Sequence, residues 1–135
     1  MLFSFVFILF SMLPSLLESG CWNDDPEFKS DPKIKELSPT KIRVGWNRDE
    51  IDRLDCIDYF YVHYWKTNFE SRHNGTMIYR SKNTFKVDID VEDDTKYSIQ
   101  INAFEDRGVL GGEDNWSNEI HITTAKGMAT VNYDI

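Results

Sequence analysis

From residue 33 onward, apolar side chains recur at alternate positions in short segments, and polar clusters separate one segment from the next. A repeat of two residues is typical of half-buried β-strands, because successive side chains of a strand point to opposite faces. The pattern predicts seven strands, at residues 33–37, 41–46, 57–66, 76–80, 84–89, 96–104 and 118–124. No segment has a convincing helical repeat. Short strands separated by turn signals such as Gly111-Gly112 predict an all-β, antiparallel sandwich of two sheets.

The chain begins with a different pattern, an apolar run without a charged side chain at residues 1–17. The run is shorter than the roughly 20 residues that a membrane-spanning helix needs, and Pro14 interrupts it before Glu18 ends it. Residues 1–19 are therefore predicted to be a signal peptide that is cleaved after Ser19, and the mature chain is expected to be secreted and extracellular. The sequence departs from the usual signal peptide in having no Lys or Arg before the run. A retained membrane anchor is the alternative to cleavage, and the length of the run favours cleavage.

Cys21 raises a further alternative to simple secretion. Ser19-Gly20-Cys21 resembles the end of a bacterial lipidation box, in which the cysteine carries the lipid. Glu18 stands where that box has an aliphatic residue, so the likeness is partial. A lipid-anchored surface protein is thus the second way in which the chain could be located outside the cell.

The length after the leader allows one domain. Removal of residues 1–19 leaves enough chain for a single hydrophobic core and too little for two. We predict an N-terminal extension at residues 20–32, a single domain at residues 33–125 and a flexible C-terminal tail at residues 126–135.

The charge of the chain excludes some partners. It has 15 Lys and Arg against 23 Asp and Glu, which gives a formal net charge of −8. The acidic residues are spread along the chain and the basic residues form no cluster in the sequence, so repulsion from phosphate is expected to dominate. Neither nucleic acid nor an anionic membrane surface is a predicted partner.

Several side chains then occur in a characteristic order. Ser38-Pro39 precedes a predicted strand that ends in Trp46, Val91 stands six residues before Tyr97, and Trp116-Ser117 precedes the last predicted strand. This order resembles a fibronectin type III domain, an immunoglobulin-like sandwich of seven strands, over residues 32–125. The resemblance implies that Trp46 is a large buried wedge between the sheets. It also implies that Tyr97 is the tyrosine corner, whose hydroxyl bonds the backbone ahead of the sixth strand.

The chain has two cysteines, Cys21 and Cys56. Type III domains usually lack a disulfide bond, so the pair departs from the pattern of that family. In the topology that the resemblance implies, Cys56 faces the region from which the N-terminal segment enters the domain. We expect a structural disulfide between the two cysteines, and pairing between two chains is the alternative.

Two sequons are candidate glycosylation sites in an exported chain. Asn74-Gly75-Thr76 lies in a polar stretch that is expected to be exposed. Asn115-Trp116-Ser117 has a bulky Trp in the middle position and lies where a strand begins, and both features disfavour glycosylation.

The alternation also predicts an aromatic outer face. If Phe60, Val62 and Tyr64 point into the core, as the family pattern and the alternation both indicate, the residues between them point outward. The same parity on neighbouring strands completes the candidate binding face, which comprises Tyr59, Tyr61, His63, Trp65, Phe104 and His121. This composition is enriched at protein interfaces. The alternative is aromatic pairing that only stabilises the sheet, or cover by the fourth strand and a glycan.

The segment at residues 105–114 contains Asp106-Arg107-Gly108, where some type III domains present an integrin-binding Arg-Gly-Asp. Here Val109 follows Gly108, so the acidic residue that would chelate the metal of the receptor is missing. A flexible glycine loop is expected instead.

The sequence has no catalytic motif. No nucleophile elbow, zinc box or phosphate-binding loop occurs, and His63 and His121 lack a third ligand for a metal. We therefore predict no enzymatic activity, no cofactor and no metal.

These features together indicate a secreted module that binds another extracellular protein through the aromatic sheet face or through loops near the disulfide bond. The alternatives are a structural or matrix-associated adhesion component without a discrete ligand, and the lipid-anchored surface protein.

Overall fold

The computed structural model describes Cys21 and residues 26–127, which form ten β-strands and no α-helix. The strands are β1 (Glu27–Phe28), β2 (Lys33–Ser38), β3 (Lys41–Gly45), β4 (Ile51–Asp52), β5 (Tyr59–Lys66), β6 (Thr76–Ser81), β7 (Lys86–Asp90), β8 (Lys96–Asp106), β9 (Gly112–Glu113) and β10 (Ile120–Thr123). The predicted signal peptide at residues 1–19 and residues 128–135 of the predicted tail lie outside the described residues. Within the described part of the chain, no helix has the length and apolar character needed to cross a membrane.

The strands form an antiparallel sandwich. One sheet has the order β2-β3-β7, and the other has the order β10-β8-β5-β6, with β9 also paired to β8. All seven strands that the alternation predicts are present, with ends that differ from the prediction by at most two residues. The additional strands β1, β4 and β9 have two residues each, which is too short to produce a repeat in the sequence.

The core lies between the two sheets. On β3, Ile42 and Val44 are completely buried, and on β8 so are Ile99 and Ile101. Their neighbours in the cluster of buried residues include Phe60, Val62, Val87, Ile89 and Ala103. Each large aliphatic side chain buried in this way stabilises the fold by about 1.5–3 kcal/mol relative to an exposed one.

Trp46 and Tyr97, the two residues to which the resemblance gives structural roles, both lie in the core. Trp46 is buried, and its ring lies 5.2 Å from the ring of Phe60 across the core. Tyr97 is buried as well, and its hydroxyl accepts a hydrogen bond of 2.8 Å from the backbone N–H of Glu92. This bond ties the connection between β7 and β8 to the strand that follows it.

The described part of the N-terminal extension is tied to the connection between β3 and β5. Cys21 forms a disulfide bond with Cys56, as expected, and β1 pairs with β4 in a small separate sheet. The disulfide joins residues 35 positions apart, and in the chain-entropy model closing such a loop contributes about 3–4 kcal/mol. The backbone N–H of Lys29 adds a 2.7 Å hydrogen bond to the carbonyl of Glu50.

Replacement of Tyr97 by Phe tests the tyrosine corner. We expect Tyr97→Phe to lower the free energy of unfolding by about 1–3 kcal/mol, because the N–H of Glu92 loses its partner. Tyr64→Phe is the matched control, since the ring of Tyr64 also packs against the core. Urea denaturation of the three proteins measures the effect, and equal stability of the two variants would contradict the role assigned to the Tyr97 hydroxyl.

Candidate binding face

The candidate face is the side of β5, β6 and β8 that points away from the core, and we call it the outer face. The predicted parity of β5 is correct. Phe60 and Val62 are completely buried in the core, and Tyr64 is half-buried and packs against it. The intervening aromatic residues of β5 therefore project to the outer face, opposite Phe104, Gln100 and Ser98 of β8.

The expectation that this face is an open aromatic surface is wrong over most of β5. Tyr61 is 8% exposed, His63 is 6% exposed and Trp65 is 7% exposed. Tyr61 is enclosed by the rings of Tyr59, Tyr79 and Phe104. His63 is covered by two segments of the chain, residues 72–75 and residues 115–118.

The first covering segment is the turn at residues 72–75, which lies on His63. A side chain on Gly75 would place its Cβ 2.7 Å from His63 Nε2 and 2.7 Å from the carbonyl oxygen of Tyr64. Only glycine allows the turn to approach β5 so closely. The guanidinium of Arg72 lies 4.5 Å from the centre of the Trp116 ring, a cation–π contact that connects the two covering segments.

The second covering segment continues along the edge of β8. The N–H of Ser117 donates to the carbonyl of Ile101 at 2.8 Å, and its hydroxyl accepts from the N–H of Ile101 at 2.9 Å. The ring of Trp116 is thereby held 5.9 Å from the ring of His63. Trp116-Ser117 is thus part of the packing of this sheet.

His63 is enclosed by this arrangement. Its ring lies 5.0 Å from that of Trp65, and the side chains that act on it electrostatically are Arg72 and His73 of the covering turn. Burial lowers the pKa of His63, and the positive charges of Arg72 and His73 act in the same direction, against a hydrogen bond with the backbone of Arg72. The imidazole is therefore neutral in the folded protein near neutral pH.

The end of the outer face near the disulfide bond has less cover. We call the cluster of Tyr59, Tyr61, Tyr79, Phe104 and Met77 the aromatic patch. Within it Tyr59 stacks on Phe104 with ring centres 4.8 Å apart, and Tyr61 meets Tyr79 edge-on at 4.2 Å. Tyr79 is 60% exposed and Met77 is 45% exposed, so β6 presents the open side of the patch.

The buried member of the patch holds it together. Tyr61 donates a 3.2 Å hydrogen bond from its hydroxyl to that of Tyr59. Burial raises the pKa of Tyr61, and the hydrogen bonds with Tyr59 and Tyr79 raise it further. Tyr61 therefore stays protonated and works as a fixed support under the exposed ring of Tyr79.

The segment at residues 105–114, expected to be a flexible glycine loop, forms an ordered hairpin between β8 and β9. Arg107 bridges two acidic residues, with its Nη2 3.2 Å from Glu105 and its Nη1 2.9 Å from Glu113. Gly112 lies directly on the ring of Phe104, where a Cβ would be 1.8 Å from a ring carbon. The hairpin is therefore anchored to the aromatic patch, and its tip presents a fully exposed Val109.

The remaining predicted member of the face lies apart from the patch. His121 is on β10, at the other edge of the sheet, opposite Ser98. It is exposed, and its Nδ1 lies 3.0 Å from the hydroxyl of Ser98 while its Nε2 lies 3.1 Å from Glu119. The structure thus brings together Tyr59, Tyr61 and Phe104, and it separates them from His121.

The alternation of β5 could not identify the exposed side chains of this region. Met77 and Tyr79 lie on β6, which the alternation predicts at residues 76–80, but their positions opposite His63 and Tyr61 follow only from the pairing of β6 with β5. Val109 was visible in the sequence as an apolar residue between glycines. The only sequence feature that indicated its exposure was the glycine-rich turn composition. The same composition is also found in loops that pack against a domain, so it does not predict an exposed tip.

The two predicted sequons differ in their surroundings. Asn74 is exposed at the end of a short 3-10 helix (Arg72–Asn74). Asn115 is half-buried, and its side-chain nitrogen donates a 2.9 Å hydrogen bond to the carbonyl of Ala103. That nitrogen is the atom to which a glycan would be attached.

Comparison with solved structures shows what kind of sandwich this is. The chain superposes on the fn3 domain of human contactin 1 with a TM-score of 0.58 at 17% identity, covering 75% of this chain and 79% of that one. The FN5 domain of Drosophila Lar gives a TM-score of 0.54 at 23% identity, with 76% and 99% covered. The fold is that of a fibronectin type III domain. The FN1–FN3 fragment of chicken contactin 1 matches at a TM-score of 0.62 and 20% identity, with 75% of this chain and 32% of that one covered. No family model matches the sequence, and neither does any curated protein.

The type III fold confirms the predicted fold class and the resemblance on which it depended. It differs from the expectation in the number of strands, since the small pairs formed by β1, β4 and β9 add to the seven of the sandwich. The similarity to the contactin and Lar domains lies below 25% identity and concerns the fold.

The burial of His63 predicts a pH dependence of stability. The unfolded side chain titrates near pH 6.5 and the folded one below it, so the unfolded state takes up the proton first. The stabilisation is fully present above about pH 6.5 and is lost as the pH falls through the lowered pKa. We expect His63→Phe to reduce the loss of stability between pH 7 and pH 5, measured by urea denaturation. His121→Phe is the control, because His121 is exposed on β10 and is not among the groups that act on the pKa of His63. An unchanged pH dependence in His63→Phe would contradict the assignment.

Proposed function

We propose that this chain is a secreted, non-enzymatic binding module that engages an extracellular protein through the aromatic patch and the adjoining hairpin tip. The observation that carries the proposal is the exposure of Tyr79, Met77 and Val109. Tyr79 packs on the buried Tyr61, and the hairpin that presents Val109 packs on Phe104. Type III domains commonly mediate protein interactions, and the fold is that of such modules. Secretion is supported by the apolar run at residues 1–17 and by the presence of a disulfide bond.

The composition of the patch suits a protein partner. Tyr side chains provide large, rigid contact area with a polar edge, and they are among the residues that contribute most to binding energy at interfaces. Tyr79 packs against Tyr61 at its base, so little conformational entropy is lost when its exposed edge is covered. Met77 beside it adds a flexible apolar contact that adapts to an uneven partner surface.

The hairpin tip extends the same surface. The backbone N–H of Asp106 donates a 2.6 Å hydrogen bond to the carboxylate of Asp58, and the N–H of Asp58 donates to the carbonyl of Phe104 at 2.9 Å. Asp58 follows Cys56 by two residues, so the base of the hairpin is connected to the segment that carries the disulfide bond. The loops near the disulfide bond and the aromatic patch therefore form one candidate surface.

Capture from extracellular fluid tests the binding proposal. The mature chain and a Met77→Ser, Tyr79→Ser variant are immobilised in parallel, and the proteins retained by each are quantified by mass spectrometry. We expect proteins bound specifically by the wild type to bind the variant at least about tenfold more weakly, because exposed Tyr and Met anchors are lost.

Phe69→Ser is the matched control for this experiment. Phe69 is 85% exposed and follows the far end of β5, so its removal takes away an exposed ring outside the patch. Retention that is lost equally in both variants, or in neither, would contradict binding through the aromatic patch.

We also infer that Asn74 is the glycosylated sequon and that Asn115 is not modified. Asn74 is exposed, whereas the side-chain nitrogen of Asn115 is engaged by Ala103. When the chain passes through a eukaryotic secretory pathway, we expect glycosidase treatment to shift the mass of the wild type and of Asn115→Gln. Asn74→Gln is expected to show no shift, and a shift in that variant would contradict the inference.

A further inference from the structure

The outward side of the β2-β3-β7 sheet is basic, although the chain as a whole is acidic. Its inward positions carry the core residues of these strands, such as Ile42 and Val44. The outward positions, which we call the basic face, are Lys33, Lys35 and Ser38 on β2, Lys41, Arg43 and Gly45 on β3, and Lys86, Asp88 and Asp90 on β7. The face has five basic and two acidic side chains in a chain with a net charge of −8.

This face corrects the expectation that the chain has no cluster of basic residues. That expectation is right along the sequence, where Lys33 and Lys86 are far apart. It is wrong on the surface, because β3 pairs with β2 on one side and with β7 on the other, so that Lys33 and Lys86 lie on the same face, one on either side of β3.

Part of the charge is neutralised within the face. Arg43 makes a bidentate pair with Asp88, with nitrogen–oxygen distances of 2.7 and 3.1 Å. This hydrogen bonding raises the pKa of Arg43 and lowers the pKa of Asp88, so both stay ionised. Lys41 lies 3.7 Å from Asp90, at the end of the face away from the disulfide bond.

Three lysines of the basic face are not neutralised by an ion pair among the described residues. Among the described residues, no carboxylate lies within ion-pair distance of Lys33, Lys35 or Lys86. Lys33 and Lys86 both stand opposite Gly45, on either side of β3. Two strand spacings separate these two lysines by about 10 Å, and Lys35 follows Lys33 on the same side of β2 at about 7 Å. Because Gly45 has no side chain, no side chain of β3 stands between Lys33 and Lys86.

The residue types on this face discriminate between classes of anion. Its described outward positions include no aromatic side chain, so it lacks the anchors of a protein interface and the stacking surfaces used for single-stranded nucleic acid. The guanidinium of Arg43 is engaged by Asp88 and is not available for bidentate recognition of phosphate. What is left is a flat array of lysines, which act as point charges and tolerate varied geometry.

We propose that the basic face binds a linear sulfated polysaccharide through Lys33, Lys35 and Lys86. Such a chain presents anionic groups at intervals along an extended backbone and needs no pocket. The net negative charge of the protein does not prevent this, since the Debye length at physiological ionic strength is about 8 Å and the remaining acidic residues are screened beyond it. The affinity is expected to be modest and to fall steeply with salt.

Heparin is the probe for the test. Binding of the full mature chain to immobilised heparin is measured from 50 to 300 mM salt. Two double variants are measured in parallel. The first combines Lys33→Gln with Lys35→Gln, and the second combines Lys82→Gln with Lys96→Gln. The two double variants have the same net charge, but Lys82 and Lys96 lie outside the basic face. We expect the first pair to weaken binding at least about fivefold near 100 mM salt and to reduce the slope of log affinity against log salt by about one to two. The second pair is expected to leave both nearly unchanged.

Gly45→Glu provides an independent variant that keeps all the lysines. A Cβ at this position would lie 3.7 Å from the carbonyl oxygen of Phe85, an ordinary contact, so the fold accepts a side chain here. The added carboxylate stands between Lys33 and Lys86 and is expected to weaken heparin binding at least about fivefold, whereas Gly45→Ser does not. Thermal unfolding of each variant confirms that it is folded.

Several outcomes would overturn the proposal. These are the absence of salt-dependent heparin binding by the wild type, an equal loss in the two double variants, and tighter binding to a single-stranded DNA oligonucleotide or to anionic vesicles than to heparin. Salt-sensitive self-association without heparin binding would show instead that the face contacts a second copy. The Met77→Ser, Tyr79→Ser variant is expected to bind heparin normally, so this result is independent of the proposed protein-binding function.

Discussion

The antiparallel pairing of β5 with β8 is the interaction on which the rest of the structure depends. Eight residue pairs, from Tyr59 with Phe104 to Lys66 with Tyr97, hold the two central strands in register. A shift of one residue would move every aromatic side chain of β5 to the opposite face. The register therefore decides at once that Phe60 and Val62 fill the core and that Tyr59 and Tyr61 reach the outer face. The tyrosine corner, the covering segments and the hairpin are all attached to these two strands.

The outer face illustrates how a sheet surface can be aromatic without being open. A strand whose two faces are both apolar needs a second layer, and here turns and a strand edge provide it in place of another sheet. Gly75 permits close contact with His63, and the Trp116 ring closes the other side. The cover stops short of β6, and for that reason the exposed aromatic area lies at Tyr79, near the disulfide bond.

Much of the fold could be predicted from the sequence, because a two-residue repeat and a few large side chains such as Trp46 and Tyr97 carry its information locally. The direction of each β5 side chain could be predicted for the same reason. Its exposure could not, because residues 72–75 and 115–118 reach the face only through tertiary packing. The basic face could not be predicted for a related reason. Lys33 and Lys86 are far apart in the sequence, and they come to one face only through the pairing of β2 and β7 with β3.

The two sheets pack against each other over one core, so the aromatic patch and the basic face lie on opposite outer sides of the sandwich. Ligands held on the two surfaces would be separated by the full thickness of the sandwich and would not compete for space. A polysaccharide layer on one side would then orient the molecule, with Tyr79 and Val109 turned away from the matrix and towards whatever passes in solution. If both proposed surfaces bind their ligands, one sandwich of this geometry would connect a polysaccharide to a protein through its two opposite faces.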